Sequence, residues 1–178
     1  NEALLQKARK RLSFDELFLI QLSVLQQKKE WDKNPAVSIK FNQELIKDFI
    51  SKLPFKLTMA QKKSAWAIIQ DLEKTSPMNR LLEGDVGSGK TIVALIAVLQ
   101  VCSNNYQVAL MAPTEILAQQ HYESALKFLK DFNIKCALLT KSNSKKQNDD
   151  IDKNALLKEI EKGEINLIIG THSLIQDK

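Results

Sequence analysis

The chain has 178 residues, of which 44% are hydrophobic and 26% charged, the balance of one globular domain with a core of its own or of one domain with a helical appendage. Its net charge of +5 is compatible with a nucleic-acid partner without requiring one. No apolar run approaches membrane-spanning length, so no membrane partner is expected, and the two cysteines show no metal or redox spacing.

Ser13-Phe14-Asp15-Glu16 reads as a capping box and predicts a helix from there to about Glu30. Apolar residues fill nearly every side of that helix, among them Leu12, Phe14, Leu17, Phe18, Ile20 and Leu25. A helix apolar all round is buried on several faces, so this one is expected to pack against a part of the protein outside this sequence. Asn34-Pro35 breaks the pattern. A second helix fits Gln43 to Lys52 and stops before Pro54. Thr58-Met59-Ala60-Gln61 is another capping box and opens a helix to about Lys74, with Ala65, Ile68, Ile69 and Leu72 on its buried face.

From Asn79 onward strands alternate with helices. The strand candidates are Arg80–Glu83, Val108–Ala112, Lys135–Thr140 and Asn166–Gly170; helices fit Lys90–Cys102, Glu115–Phe132 and Ala155–Lys162. Such alternation implies an α/β fold, a parallel sheet with helices on both faces, here preceded by a helical segment. Right-handed crossovers then place the loops after the strands along one edge of the sheet. Residues 141–153, rich in Ser, Asn, Lys and Asp, read as a mobile surface loop. Cys102 and Cys136 lie far apart in apolar surroundings and read as reduced core residues of a cytoplasmic protein.

Gly84, Asp85, Val86, Gly87, Ser88, Gly89, Lys90 and Thr91 fit the phosphate-loop pattern G-x-x-x-x-G-K-[ST] without a mismatch, between a strand candidate and a helical run. The glycines let successive N–H groups turn inward toward phosphate oxygens, and the following helix adds its positive N-terminus. Lys90 supplies a point charge for the outer phosphates, and the Thr91 hydroxyl is the candidate ligand for Mg2+. A bare lysine at a helix start opposes the helix dipole unless an anion sits there. A small-molecule kinase of the phosphate-loop class is disfavoured, because 83 residues precede the loop and no arginine follows Arg80 to build a lid.

Four further segments carry a family resemblance: Leu53-Pro54-Phe55-Lys56-Leu57-Thr58-Met59-Ala60-Gln61, Pro77-Met78-Asn79-Arg80-Leu81-Leu82-Glu83, Met111-Ala112-Pro113-Thr114-Glu115-Ile116-Leu117-Ala118-Gln119-Gln120-His121 and Gly170-Thr171-His172-Ser173-Leu174-Ile175-Gln176. In this order and spacing the chain, from about Arg11 to Lys178, resembles the bacterial RecG family of ATP-dependent DNA helicases, which remodel stalled forks and Holliday junctions. The transcription-repair coupling factor and the primosomal helicase share parts of the pattern and stand as the alternatives.

The resemblance implies a piece of a longer protein, and the absence of an initiator Met at Asn1 and the strand-like run just before the last residues agree with that. Residues 1–54 would be a helical linking segment. Residues 55–178 would be the N-terminal part of the first RecA-like motor lobe, ending before the DExH-type motif. An OB-type wedge would precede it, and a second lobe with an arginine finger would follow. The implied cofactors are ATP and Mg2+, the implied partner is branched DNA, and a monomer is expected. Lys90 and Thr91 would serve catalysis, and this piece alone is expected to bind nucleotide with little or no turnover.

The family also assigns adenine reading to Gln61, with Phe55 or Leu57 as an apolar wall. Sequence mechanics alone gives Gln61 the cap of Thr58, so both roles stand open. Pro113, Thr114 and Glu115 resemble a motif that contacts the DNA backbone, although Thr114 also reads as an N-cap. Thr171 and His172 resemble a second such contact. Many relatives carry Thr-Gly-Ser where this chain has Thr140-Lys141-Ser142, so charge attraction from Lys141 could replace close backbone approach there.

Overall fold

A computed structural model describes residues 2–31 and 33–175, without the side chain of Ser173. Its chain divides into two units, Asn1–Ser38 with Lys74–Asn79, and Ile39–Glu73 with Arg80–Lys178.

The first unit carries one long helix, α1 (Glu2–Trp31). It runs straight through Ser13, which therefore does not start a helix. The residues ahead of Ser13, Ala3 to Arg11, are mostly strong helix formers with no Gly or Pro to stop them, and Arg11 pairs with Asp15 one turn on at 3.1 Å. No residue of α1 is buried within the described residues. In the same unit Ala36 N–H donates to the Thr75 carbonyl at 2.8 Å.

The second unit is built on α2 (Gln43–Ser51), α3 (Met59–Leu72) and α4 (Lys90–Cys102), followed by an alternating α/β segment. Asn42 caps α2 through Leu45 N–H, and α3 opens with the expected box: Thr58 Oγ accepts from Gln61 N–H at 3.2 Å while Gln61 Oε1 accepts from Thr58 N–H at 2.8 Å. Then come β1 (Val108–Met111), α5 (Glu115–Leu129), β2 (Cys136–Leu139), β3 (Ser144–Lys146), β4 (Asp149–Asp150), α6 (Lys153–Glu161) and β5 (Leu167–Gly170). The sheet order is β1-β5-β2-β3-β4, with β1, β5 and β2 parallel.

Period-two alternation splits the parallel strands between two cores. Cys136, Leu138, Leu167 and Ile169 face α4 and α5. Ala137, Leu139 and Ile168 face α6 on the other side, where Leu156 and Ile165 are fully buried. Each buried Leu or Ile contributes about 1.5–3 kcal/mol. Both thiols, Cys102 and Cys136, lie in the first core, where burial pushes each up to about 12.

Two expectations are corrected. Residues 141–153 are not simply a loose loop, because β3 and β4 form an antiparallel hairpin that extends the sheet beyond β2. Opposite charges replace apolar burial here: Lys145 lies 4.0 Å from Asp150, and Lys146 pairs with Glu159 of α6 at 2.7 Å. The turn takes Gln147 to φ 53°, and its carbonyl accepts from the buried Tyr122 hydroxyl.

Arg80–Glu83 forms no strand. A strand needs a neighbour with which to exchange hydrogen bonds, and among the described residues β1 pairs only with β5. Leu81 is left 81% exposed, and Leu82 packs against the core.

Candidate nucleotide site and sheet edge

The phosphate loop bends where its glycines allow it. Gly87 and Gly89 stand at φ 78° and 81°, a region costly for side chains with a Cβ. Gly89 is also the N-cap of α4. A Cβ on Gly89 would lie 2.4 Å from Gln61 Nε2, and one on Gly84 would lie 2.8 Å from Ser88 Oγ. The loop is therefore packed on its inner side as well as turned.

Lys90 folds back into the loop, and its ammonium donates to the Gly84 carbonyl at 2.7 Å and to the Asp85 carbonyl at 2.8 Å. The first N–H groups of α4 have no partner within their own helix and follow directly on this turn. Thr91 lies in the first turn, half-buried. A cavity of about 370 Å³ opens between the loop and α3, lined by Gln61, Ser64, Gly84, Asp85, Ser88 and Lys90. Asp85 and Val86 are exposed. Fixed N–H groups at a helix start beside an ammonium suit a polyphosphate.

Gln61 does two things at once. Its Oε1 completes the cap of Thr58, and its Nε2 donates to the Ser88 carbonyl at 2.8 Å. The cap and a place at the phosphate loop are thus compatible. Phe55 and Leu57 are not brought to the same cavity. They line a neighbouring one of about 480 Å³ with Pro54 and Lys62. Phe55 is half-exposed, edge-on to Phe128 at 6.3 Å, while Leu57 is 6% exposed within the core. A larger cavity of about 510 Å³, bordered by Lys40, Asn42 and Asn104, lies beyond the far end of α4 from the loop.

The parallel strands deliver their loops to one edge, as expected. Met111 and Leu139 both pair with Gly170 in register, and Ala112 N–H donates to the Gly170 carbonyl at 2.8 Å. Pro113–Glu115, Thr140–Asn143 and Thr171–His172 therefore sit side by side. Pro113, Thr114 and His172 are exposed and Thr171 half-buried. Thr114 caps α5 by accepting from Leu117 N–H at 3.3 Å.

The sequence did not disclose what Glu115 does. Its carboxylate accepts from the backbone N–H of Lys141 at 3.1 Å and of Ser142 at 3.3 Å, and from the Ser142 hydroxyl. It thereby ties the loop after β1 to the turn after β2. These bonds, the Ser142 hydroxyl first, hold its carboxyl below the usual glutamate range. A lowered folded-state value means that the tie is fully present above the ordinary glutamate value and is lost as pH falls through the lowered one. The NMR amide shifts of Lys141 and Ser142 should accordingly titrate together below pH 4.5, and Glu115→Gln should abolish that titration. Shifts that move identically in both proteins would remove the tie. Lys141 is exposed and is not among the positive-φ residues, so this turn does not need the glycine that many relatives carry.

Among the described residues no group of three or more His, Cys, Asp or Glu could hold a metal ion, and no helix is long and apolar enough to cross a membrane. Arg80 and Asp71 form an ion pair at the start of the segment leading into the loop. No spacing rule pointed to it.

Comparison with known proteins decides the family. The description of DEAD/DEAH box helicases matches residues 58–178, from the cap of α3 to the end of the chain. The chain belongs to the DEAD/DEAH box helicase family. Within it, this helicase-family chain is similar along nearly its whole length to proteins named ATP-dependent DNA helicase RecG. It is 48% identical to that of Aquifex aeolicus over 95% of this chain and 21% of the relative. It is 43% identical to that of Thermotoga maritima over 97% of this chain and 22% of the relative. A solved structure described as RecG bound to a three-way DNA junction superposes with a TM-score of 0.86 at 42% identity, covering 98% of this chain and 23% of that one. The chain thus spans about a fifth of the length of the curated relatives it matches. The RecG resemblance and the RecA-like α/β fold are both borne out.

Proposed function

We propose that this chain is the nucleotide-binding part of an ATP-dependent DNA helicase that remodels branched DNA, such as stalled forks and Holliday junctions, in recombination and repair in the cytoplasm. The observation that carries this reading is the preformed phosphate loop, with Lys90 turned inward and α4 behind it, in a chain similar end to end to RecG. In this reading residues 1–54 link to preceding parts of the protein. Residues 55–178 begin a motor lobe completed by segments beyond this chain, so the piece alone turns over little ATP.

The loop N–H groups and Lys90 hold the phosphates, and Thr91 is the side chain placed to ligate Mg2+, the remaining ligands being phosphate oxygens and water. Bound Mg2+ would neutralise charge developing between the outer phosphates. Gln61 reads adenine from the position where it also braces the loop, with Phe55 and Leu57 walling the neighbouring hollow. At the sheet edge, Pro113–Glu115 and Thr171–His172 meet the DNA backbone. The Glu115 carboxylate is occupied by the turn after β2, so contact there falls to backbone N–H groups and the Thr114 hydroxyl.

The test is a chimera in which this chain replaces the matching fifth of the Thermotoga maritima relative. ATP hydrolysis is measured with and without a three-way DNA junction. Junction-stimulated hydrolysis is expected. It should fall at least tenfold with Thr171→Ala, and the preference for ATP over GTP should narrow with Gln61→Ala. A folded chimera that hydrolyses ATP without regard to DNA would overturn the DNA assignment. An unchanged base preference would remove Gln61 from adenine reading.

A further inference from the structure

The phosphate loop is not held by the sheet in this chain. The segment leading into it, residues 80–83, has no ladder partner among the described residues. Two side-chain ties reach it, and both come from α3. Near one end of α3, Gln61 Nε2 donates to the Ser88 carbonyl at 2.8 Å, where the loop runs out into α4. Near the other end, Asp71 Oδ2 accepts from Arg80 Nε at 2.7 Å and from Nη2 of the same guanidinium, where the segment leads in. Ten residues of helix separate Gln61 from Asp71, about 15 Å at 1.5 Å per residue.

We infer that α3 is a strut for the phosphate loop and that Asp71 and Arg80 are positioning residues which set the loop's geometry for phosphate. Asp71 is largely buried, its side chain 16% exposed, and Arg80 is 40% exposed. A two-pronged, charge-assisted contact to a half-shielded carboxylate fixes direction as well as distance. With Arg80 fixed, Leu82 is held against the core and Gly84 is brought under the Lys90 ammonium. Without it, the segment 80–83 keeps only the Leu82 contact, and the carbonyls that seat Lys90 lose their fixed position. Gln61 alone then constrains the far side of the loop. Neither residue of the pair touches the cavity lined by the loop, so they act through it. The link to phosphate rests on the nucleotide-binding reading above; the strut itself does not.

The experiment uses the 178-residue chain without nucleotide, and reads amide hydrogen exchange in the wild type, in Asp71→Asn, in Arg80→Lys and in the swapped pair Asp71→Arg with Arg80→Asp. Exchange confined to residues 80–88 should quicken at least tenfold in Asp71→Asn and less in Arg80→Lys. The amides within α4 should keep their protection, and the swapped pair should recover part of what Asp71→Asn loses. Unchanged exchange at 80–88, or an equal rise throughout α4, would overturn the strut. A second arm titrates the same proteins with Mg-ADP, where Asp71→Asn should weaken binding about tenfold. If wild type and Lys90→Ala bind Mg-ADP equally, the phosphate-site reading fails, while the exchange data still decide the strut.

Discussion

Replacing Lys90 by alanine should cost this chain at least about a hundredfold in affinity for Mg-ADP, roughly 2.7 kcal/mol. Two effects act together. The ammonium is the one positive charge seated inside the loop cavity, so its loss removes a charge-assisted contact to phosphate. It also donates to the Gly84 and Asp85 carbonyls, so its loss unpins the turn that aims the N–H groups. The pattern should appear in a calorimetric titration: saturable binding by the parent and none by the variant at the same concentrations. Equal affinity would sink the site. Thermal midpoints of the two proteins should stay close, because Lys90 is far from fully buried and packs in neither core.

The second large effect is expected on stability. Gln100 is 0% exposed on α4, and its amide behaves like a strand edge toward the extended segment before α2. Oε1 accepts from Asn42 N–H at 3.2 Å, and Nε2 donates to the Lys40 carbonyl. Gln100→Ala should destabilise by about 2–4 kcal/mol, the sum of a stranded buried donor and a cavity. Gln100→Leu keeps most of the volume but not the hydrogen bonds, and should cost about 1–3 kcal/mol. The Lys40 carbonyl retains a bond from Asn104 Nδ2 at 3.1 Å, which limits the loss on that side. Urea unfolding of the three proteins measures both terms. A Gln100→Leu variant as stable as the parent would show the amide to be a spacer.

What the sequence disclosed was whatever depends on neighbours in the chain. The caps at Thr58 and Thr114 are local bonds and stand where the pattern put them. The span of α4 agrees to the residue with its expected bounds. The phosphate loop was legible because its chemistry needs its residues in one stretch.

The features that were missed join distant positions. Glu115 reaches a turn 26 and 27 residues away, and Gln100 reaches a segment about 60 residues back. Arg80 finds Asp71 across the loop between α3 and the phosphate loop, nine residues apart with no periodicity to betray it. The hairpin β3–β4 escaped notice because its strands are stabilised by paired charges, which in a sequence resemble a solvated tract. The strand reading of 80–83 failed for the opposite reason: apolar residues promise a strand, but only a partner makes one.

The two sulfur atoms give the molecule a built-in reporter. The chain's only cysteines sit in the core that joins the helix behind the phosphate loop to the middle of the sheet, and burial keeps both in the unreactive thiol form. A small alkylating reagent can reach them only while that core stands ajar. The rate of alkylation therefore counts openings between α4 and β2 without any introduced label. Cys102, at the end of α4, and Cys136, at the start of β2, time them from the two sides of the seam.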